Sequence, residues 1–202
     1  MLVKICGITT PETAVACFGA GADIIGVVYY PPSPRHVDVA QIREILDADT
    51  PLCRQRVLVV VDQLPDDEIV SRFDYVQIYG NIRNDILIRR IHVVKEYEAF
   101  NRLIASSSQT EYYCLEMSKG LLPGGNGAEW DWSIARPFCE RYRTFIAGGI
   151  APENVADVIR LANPYGIDVS SGVESSPGVK DMDKVKRLVD NVHKTLEAVH
   201  RF

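Results

Sequence analysis

The chain has 202 residues, with 27 acidic against 22 basic side chains for a formal net charge of −5. That length carries one sizeable core and is short for two ordinary domains, so a single domain over residues 1–202 is expected. The acidic balance lacks the basic footprint of a nucleic-acid binder, so no nucleic-acid partner is expected, although a local anion site remains compatible with it.

The first predicted elements are a strand at Leu2 to Cys6 and a helix at Pro11 to Phe18, the helix announced by Thr10 before Pro11. A strand at Ile24 to Tyr29 and a helix at Val39 to Leu46, behind Asp38, follow. The apolar run around that second strand covers only about a third of a membrane span, and no basic-then-apolar leader opens the chain. No membrane partner and a cytoplasmic location are therefore expected.

The pattern continues with strands at Val57 to Val61, Tyr75 to Ile78, Ile91 to Val94, Tyr112 to Glu116, Thr144 to Ala147 and Gly166 to Val169. Between and after them, helices are predicted at Asp66 to Arg72, Ile82 to Arg89, Tyr97 to Ala105, Asp131 to Phe138, Pro152 to Leu161 and Met182 to Val199. Strand and helix alternate eight times, and the strands are continuously apolar, as in a sheet buried on both faces. The predicted class is therefore α/β, a closed (β/α)8 TIM barrel. A doubly wound open sheet is the rival, but Gly7-Ile8-Thr9-Thr10 is no G-x-G-x-x-G fingerprint after the first strand. The one long irregular stretch is Met117 to Glu129, turn-rich through Pro123, Gly124, Gly125, Asn126 and Gly127.

In such a barrel the working residues stand at the C-terminal ends of the strands. Cys6 is one. Period-two alternation places Lys4 on its face, roughly 7 Å along the strand, and a nearby cation favours thiolate. Two readings follow: a base at the barrel mouth with a charge beneath it, or a small core filler above a lysine neutralised by an interior acid such as Glu116 or Asp168. The five cysteines are odd in number and widely spaced, without C-x-x-C, and read as free thiols; the four histidines are scattered and offer no zinc pattern, so no metal is expected.

The loops Ala147-Gly148-Gly149-Ile150 and Asp168 through Glu174 follow the last two strands, where barrels bind phosphate through backbone N–H groups; the plainer reading of their glycines is that they make turns. In Trp130-Asp131-Trp132 the acid is either a proton donor whose pKa is raised by its aromatic neighbours or a helix N-cap. Arg35, on the proline-stiffened loop Tyr30 to His36, is either a fork for a substrate carboxylate or a solvated side chain.

Taken in order and spacing, Lys4-Ile5-Cys6-Gly7-Ile8-Thr9, Ser33-Pro34-Arg35, Val76-Gln77 with Gly80, Gly124-Gly125 with Gly127, Asp131-Trp132, Ala147-Gly148-Gly149 and Asp168 through Glu174 with Pro177 to Asp181 resemble the phosphoribosylanthranilate isomerase family over nearly the whole chain. The resemblance implies an Amadori rearrangement of an N-(5-phosphoribosyl)anthranilate aminoaldose to its aminoketose in tryptophan biosynthesis, on a small phosphorylated substrate without a metal or organic cofactor. It implies Cys6 as general base and Asp131 as general acid. Arg35 would hold the anthranilate carboxylate, with Gly148, Gly149, Ser170, Ser171 and Gly172 around the phosphate, and a monomer or homodimer is expected.

The chain departs from the family pattern where Asn126, Ala128, Glu129 and Trp130 replace a Thr/Ser-Gly-Lys-x-Phe run, where Tyr79 stands for a histidine, where Val60-Val61-Asp62 replaces Phe-Val-Asn, and where Glu116 stands for an aspartate. Two competing readings remain. A histidine-pathway isomerase performing the same rearrangement with two aspartates would carry Asp at the Cys6 position. A catalytically silent barrel kept for phosphate-ligand binding would be indifferent to loss of Cys6.

Overall fold

The computed structural model describes residues 1–51, 53–80, 82, 88–96, 110–117 and 127–199. Eight parallel strands close in sequence order into a barrel: β1 (Leu2–Cys6), β2 (Ile24–Tyr29), β3 (Gln55–Val60), β4 (Tyr75–Ile78), β5 (Arg89–Val94), β6 (Thr110–Leu115), β7 (Thr144–Ala147) and β8 (Gly166–Val169). The seam is closed by β1 against β8, with Lys4 opposite Asp168 and Ile5 opposite Val169. The described helices are α1 (Pro11–Gly19), α2 (Val39–Asp47), α3 (Asp67–Val70), α4 (Arg136–Cys139), α5 (Val155–Ala162) and α6 (Met182–Val199). A short antiparallel hairpin, β9 (Glu174–Ser176) and β10 (Val179–Lys180), stands between β8 and α6.

The start signals act as their chemistry requires. Thr10 accepts the Thr13 N–H at 3.2 Å ahead of α1. Asp38 and Gln41 form a reciprocal capping box on α2, at 2.8 and 3.0 Å. The Asp181 carboxylate accepts the first N–H groups of α6, those of Asp183 and Lys184.

Three expected elements come out differently. The run predicted as a helix over Asp131 to Phe138 is a 3₁₀ turn, Trp132–Ala135, followed by α4. Pro137 has no N–H to continue an α-helical ladder, and the Arg136 N–H closes a tighter bond to Ser133 O instead. Arg89, placed at the end of a helix by its periodicity, begins β5 and lies over the Tyr75 ring. Residues 152–154 form turns before α5. The Tyr97 to Ala105 helix, the greater part of the Ile82 to Arg89 helix and most of the Met117 to Glu129 loop lie outside the described residues.

The core has two parts. Outward strand residues such as Val3, Ile5 and Val27 pack against the helices. Inward residues fill the barrel, with Tyr75, Tyr112 and Phe145 as an aromatic base whose ring centroids are 5.3 and 5.5 Å apart. Above that base lies a buried polar layer of Lys4, Gln77 and Asp168, and above it the mouth opens. Gly26, opposite Cys6 on β2, leaves the space this layer needs: a Cβ there would stand 2.8 Å from Cys6 Sγ and 3.0 Å from Lys4 Nζ.

Candidate active site

A cleft of about 730 Å³, open solvent included, occupies the mouth at the strands' C-terminal ends, within the size range of small-molecule sites. Its wall includes Cys6, Arg35, Gly148, Gly149, Ser170 and Ser171. The ends of four different strands or their following loops, β1, β2, β7 and β8, thus meet at one place, as the chain-order reading anticipates.

Cys6 and Lys4 do share the interior face, but the cation is engaged elsewhere. Lys4 Nζ donates to Asp168 Oδ2 at 2.8 Å, with Lys4 1% exposed. Burial works against the Lys4 charge, yet Asp168 outweighs it and the amine stays protonated well past neutrality. Of the two readings of Lys4, neutralisation by Asp168 is the one observed. Cys6 is buried, and desolvation lifts its thiol above the ordinary value although Lys4 pulls the other way; the neighbouring Asp168 charge adds to the rise. The depressed thiol expected from the strand pattern is therefore corrected: desolvation, with the Asp168 charge added to it, outweighs the downward pull of Lys4.

Asp168 also accepts from Gln77 Nε2 at 3.2 Å, and Gln77 Nε2 lies 3.3 Å from the Tyr79 hydroxyl. Tyr79 in turn donates to Glu116 Oε2 at 2.7 Å. Burial and the carboxylate hold Tyr79 protonated. The two family departures at Tyr79 and Glu116 thus face each other as a donor and an acceptor.

Arg35 is buried rather than solvated. Its Nε and Nη2 fork onto Glu174 at 2.8 and 2.7 Å. Its side chain crosses Gly7, where φ is +80° and a Cβ would fall 2.6 Å from Arg35 Cδ. The glycine directly after Cys6 is what admits the arginine.

Gly148 and Gly149 adopt positive φ, and with Ser170 and Ser171 they border the cleft. Gly172 has a different place. A Cβ there would lie 1.9 Å from Ile150 O, so it is a point at which the two loops press together, and it is not among the residues bordering the cleft.

Asp131 takes the second of its two readings. It is exposed, and its carboxylate caps the 3₁₀ turn by accepting Ser133 N–H at 3.0 Å and Ser133 Oγ–H at 2.6 Å, which hold it below its ordinary value of 3.8. Its aromatic neighbours do not desolvate it. Trp130 and Trp132 turn to the β7 loop, where their indole N–H groups donate to Ala147 O at 2.8 Å and Gly148 O at 3.4 Å. The N-cap reading of Asp131 is the one the geometry shows, and Asp131 is not among the residues bordering the cleft.

Sequence reasoning gave no role to Glu174, Lys180 or Gln77, although all three fall inside or beside the motifs that carry the resemblance. Among the described residues no cluster of three or more His, Cys, Asp or Glu could hold a metal, and no helix is long and apolar enough to cross a membrane.

A closed (β/α)8 barrel that gathers a buried thiol, a buried arginine and two facing glycine turns at its C-terminal mouth defines the class: a barrel enzyme for a small anionic substrate. The chain belongs to the N-(5'-phosphoribosyl)anthranilate isomerase family, whose model matches residues 3–191. The N-(5'-phosphoribosyl)anthranilate isomerase of Desulfatibacillum aliphaticivorans is 41% identical, covering 96% of this chain and 93% of that protein. That of Trichlorobacter lovleyi is 38% identical, covering 96% and 98%. The crystal structure of the Thermotoga maritima phosphoribosyl anthranilate isomerase superposes with a TM-score of 0.81 at 31% identity, covering 96% of this chain and 99% of that one. Another solved phosphoribosyl anthranilate isomerase, 30% identical with a TM-score of 0.77, holds reduced 1-(o-carboxyphenylamino)-1-deoxyribulose 5-phosphate and covers 96% of this chain and all of that one.

Proposed function

We propose that this protein catalyses the Amadori rearrangement of N-(5-phosphoribosyl)anthranilate to 1-(2-carboxyphenylamino)-1-deoxyribulose 5-phosphate in tryptophan biosynthesis, with Cys6 as general base and Asp131 as general acid. The observation that carries the reading is Cys6 itself: a buried thiol bordering the same cleft as Arg35, Gly148, Gly149, Ser170 and Ser171. That set of groups suits a substrate that carries both a carboxylate and a phosphate, with the reacting carbons near the thiol. Arg35 takes the carboxylate, and the backbone of the two glycine turns takes the phosphate.

The steps balance without a metal or organic cofactor. Asp131 gives a proton to the ring oxygen, the bond from C1 to that oxygen breaks, and the nitrogen lone pair forms a cationic C1=N bond. Cys6 then takes the C2 proton; the C2–H pair becomes C1=C2 and the C1=N pair returns to nitrogen. Loss of the C2 hydroxyl proton and gain of a proton at C1 give the ketone. A raised thiol fits this order, because the substrate's own cation, formed in the first step, supplies the charge that favours thiolate. Asp131 must be protonated to act, so contact with bound substrate has to displace the Ser133 bonds that hold it ionised. Short catalytic contacts often form only in the complex.

The same reading places the protein in the cytoplasm as one domain over residues 1–202, a monomer or homodimer; a solved relative from Thermotoga maritima is described as dimeric. The test follows the loss of anthranilate fluorescence from freshly generated substrate. Rapid loss with the wild type, and a fall of at least about 10²-fold in both Cys6→Ala and Asp131→Asn, is the expected outcome. An inactive wild type that still binds the reduced product analogue would replace this reading with that of a silent binding barrel.

A further inference from the structure

Arg35 does not reach the cleft as a free side chain. Nε and Nη2 are both committed to Glu174, which stands at the start of β9 and is buried. Glu174 Oε1 also accepts from Lys180 Nζ at 2.7 Å, across the hairpin where Lys180 pairs with Glu174. Lys180 has no side-chain exposure and reaches on to Ser170 O and Oγ at 3.3 and 3.4 Å. Burial works against the charge of Glu174, but Arg35 and Lys180 outweigh it and keep the carboxyl below its ordinary range.

The hairpin that carries this carboxylate is fixed to both loops it serves. Thr9, just after β1, donates its hydroxyl to Gly178 O at 3.0 Å, and a Cβ on Gly178 would lie 3.0 Å from Pro34 O beside Arg35. Glu174 therefore occupies a set place relative to the arginine's own backbone.

A guanidinium carries five N–H donors in a planar fork, and two are spent on Glu174. The three that remain lie on Nη1 and the far side of Nη2, an edge that also matches a carboxylate bidentately. We propose that Glu174 is a positioning residue for the substrate's carboxylate: by occupying one edge of Arg35 it presents the other to the anthranilate carboxyl in the cleft. This rests on the reading of Arg35 given above. Lys180 locks Glu174 and, through Ser170, ties the carboxylate end of the site to the loop that holds the phosphate.

Charge and positioning make opposite predictions. The cluster holds two cations and one carboxylate, so removing the carboxylate charge raises the positive potential and by Coulomb attraction alone tightens an anion. Positioning requires the reverse, because an untethered guanidinium loses its orientation.

The test measures, by calorimetry on the full chain, the dissociation constants of two unreactive probes: reduced 1-(2-carboxyphenylamino)-1-deoxyribulose 5-phosphate and the same molecule without its ring carboxylate. Wild type is compared with Glu174→Gln and with Glu174→Gln/Lys180→Met, the latter restoring the cluster's net charge and leaving no buried lysine without a partner. The expected result is a wild-type preference for the carboxylate probe of at least about tenfold that falls by about tenfold in both variants. Affinity for the probe lacking the carboxylate should stay within about threefold. A preference retained or enlarged in the double variant overturns the role of Glu174 while leaving Arg35 as the carboxylate's partner. Equal weakening of both probes assigns Glu174 a purely structural role. A wild type with no preference removes the Arg35 reading and this proposal with it.

Discussion

Across the β1–β8 seam, Cys6 sits above a lysine and an aspartate that neutralise each other at 2.8 Å, in a layer held by strand pairing on both sides. Across the mouth, Asp131 stands exposed on a 3₁₀ turn, its carboxylate engaged with its own chain two residues on. The proposed base is thus in place before substrate arrives, and the proposed acid is not. The difference follows from what each task demands. Deprotonating carbon needs a fixed line from sulfur to C2, and a strand end provides it; protonating a ring oxygen needs an acid that holds its proton, which an exposed carboxylate below 3.8 gains only by being covered.

The largest effect is expected on the seam. Lys4→Met leaves Asp168 buried beneath the cleft without its cation, a change that costs about 3–5 kcal/mol for a pair of this kind. Urea denaturation should show that loss, and Lys4→Met/Asp168→Asn should recover most of it. Titration of the Cys6 thiol in Lys4→Met should move it further upward, since the lysine is the main influence pulling it down. An unchanged thiol would mean that Asp168 absorbs the whole of the lysine's field.

A smaller effect is expected at the acid. Ser133 Oγ favours the ionised form of Asp131, so Ser133→Ala raises the pKa of that carboxyl. A general acid works only while protonated, so the rate falls as pH rises through its pKa; raising the pKa moves that descending limb to higher pH. The pH profile of kcat/KM, which reports the free enzyme, should show it, with a higher value for Ser133→Ala than for wild type at neutral pH. A limb that stays in place would detach Asp131 from the proton transfer.

These contrasts also explain what was legible from residues alone. The barrel was, because its strands are short apolar runs separated by helix starts that carry their own caps, Thr10 and Asp38 among them. The shared face of Lys4 and Cys6 was, because strand alternation is local. Which acid neutralises Lys4 was not: Asp168 becomes its neighbour only through the closing register of β1 on β8, 164 positions away. Glu174 stayed hidden for the same reason, since its partner Arg35 is 139 residues off. Of the two readings of Asp131, the N-cap was legible from its place before a helix, and the acid raised by its neighbours rested on adjacency alone. Sequence neighbours on a 3₁₀ turn point in different directions, so two tryptophans beside an acid do not enclose it.

The weakest expected effect lies where those tryptophans went. Trp130 occupies a position at which the family pattern has phenylalanine, and its indole N–H donates to Ala147 O at 2.8 Å, at the root of the Gly148-Gly149 turn. A phenylalanine ring fills similar space but has no donor, so Trp130→Phe leaves that carbonyl short of a partner at a cost of about 1 kcal/mol. The segment keeps two other ties to the same turn. Trp132 reaches Gly148 O, and Asn154 Nδ2 bridges Glu129 Oε1 and Gly149 O at 2.8 Å each. The expected outcome is therefore a rise of a few-fold in KM with kcat little changed, because the lost bond orients the turn proposed to hold the phosphate and touches none of the proposed reacting groups. A fall in kcat matching that of Asp131→Asn would instead show that the indole holds the acid's segment in its working position, and the two halves of the mouth would then be coupled through a single hydrogen bond.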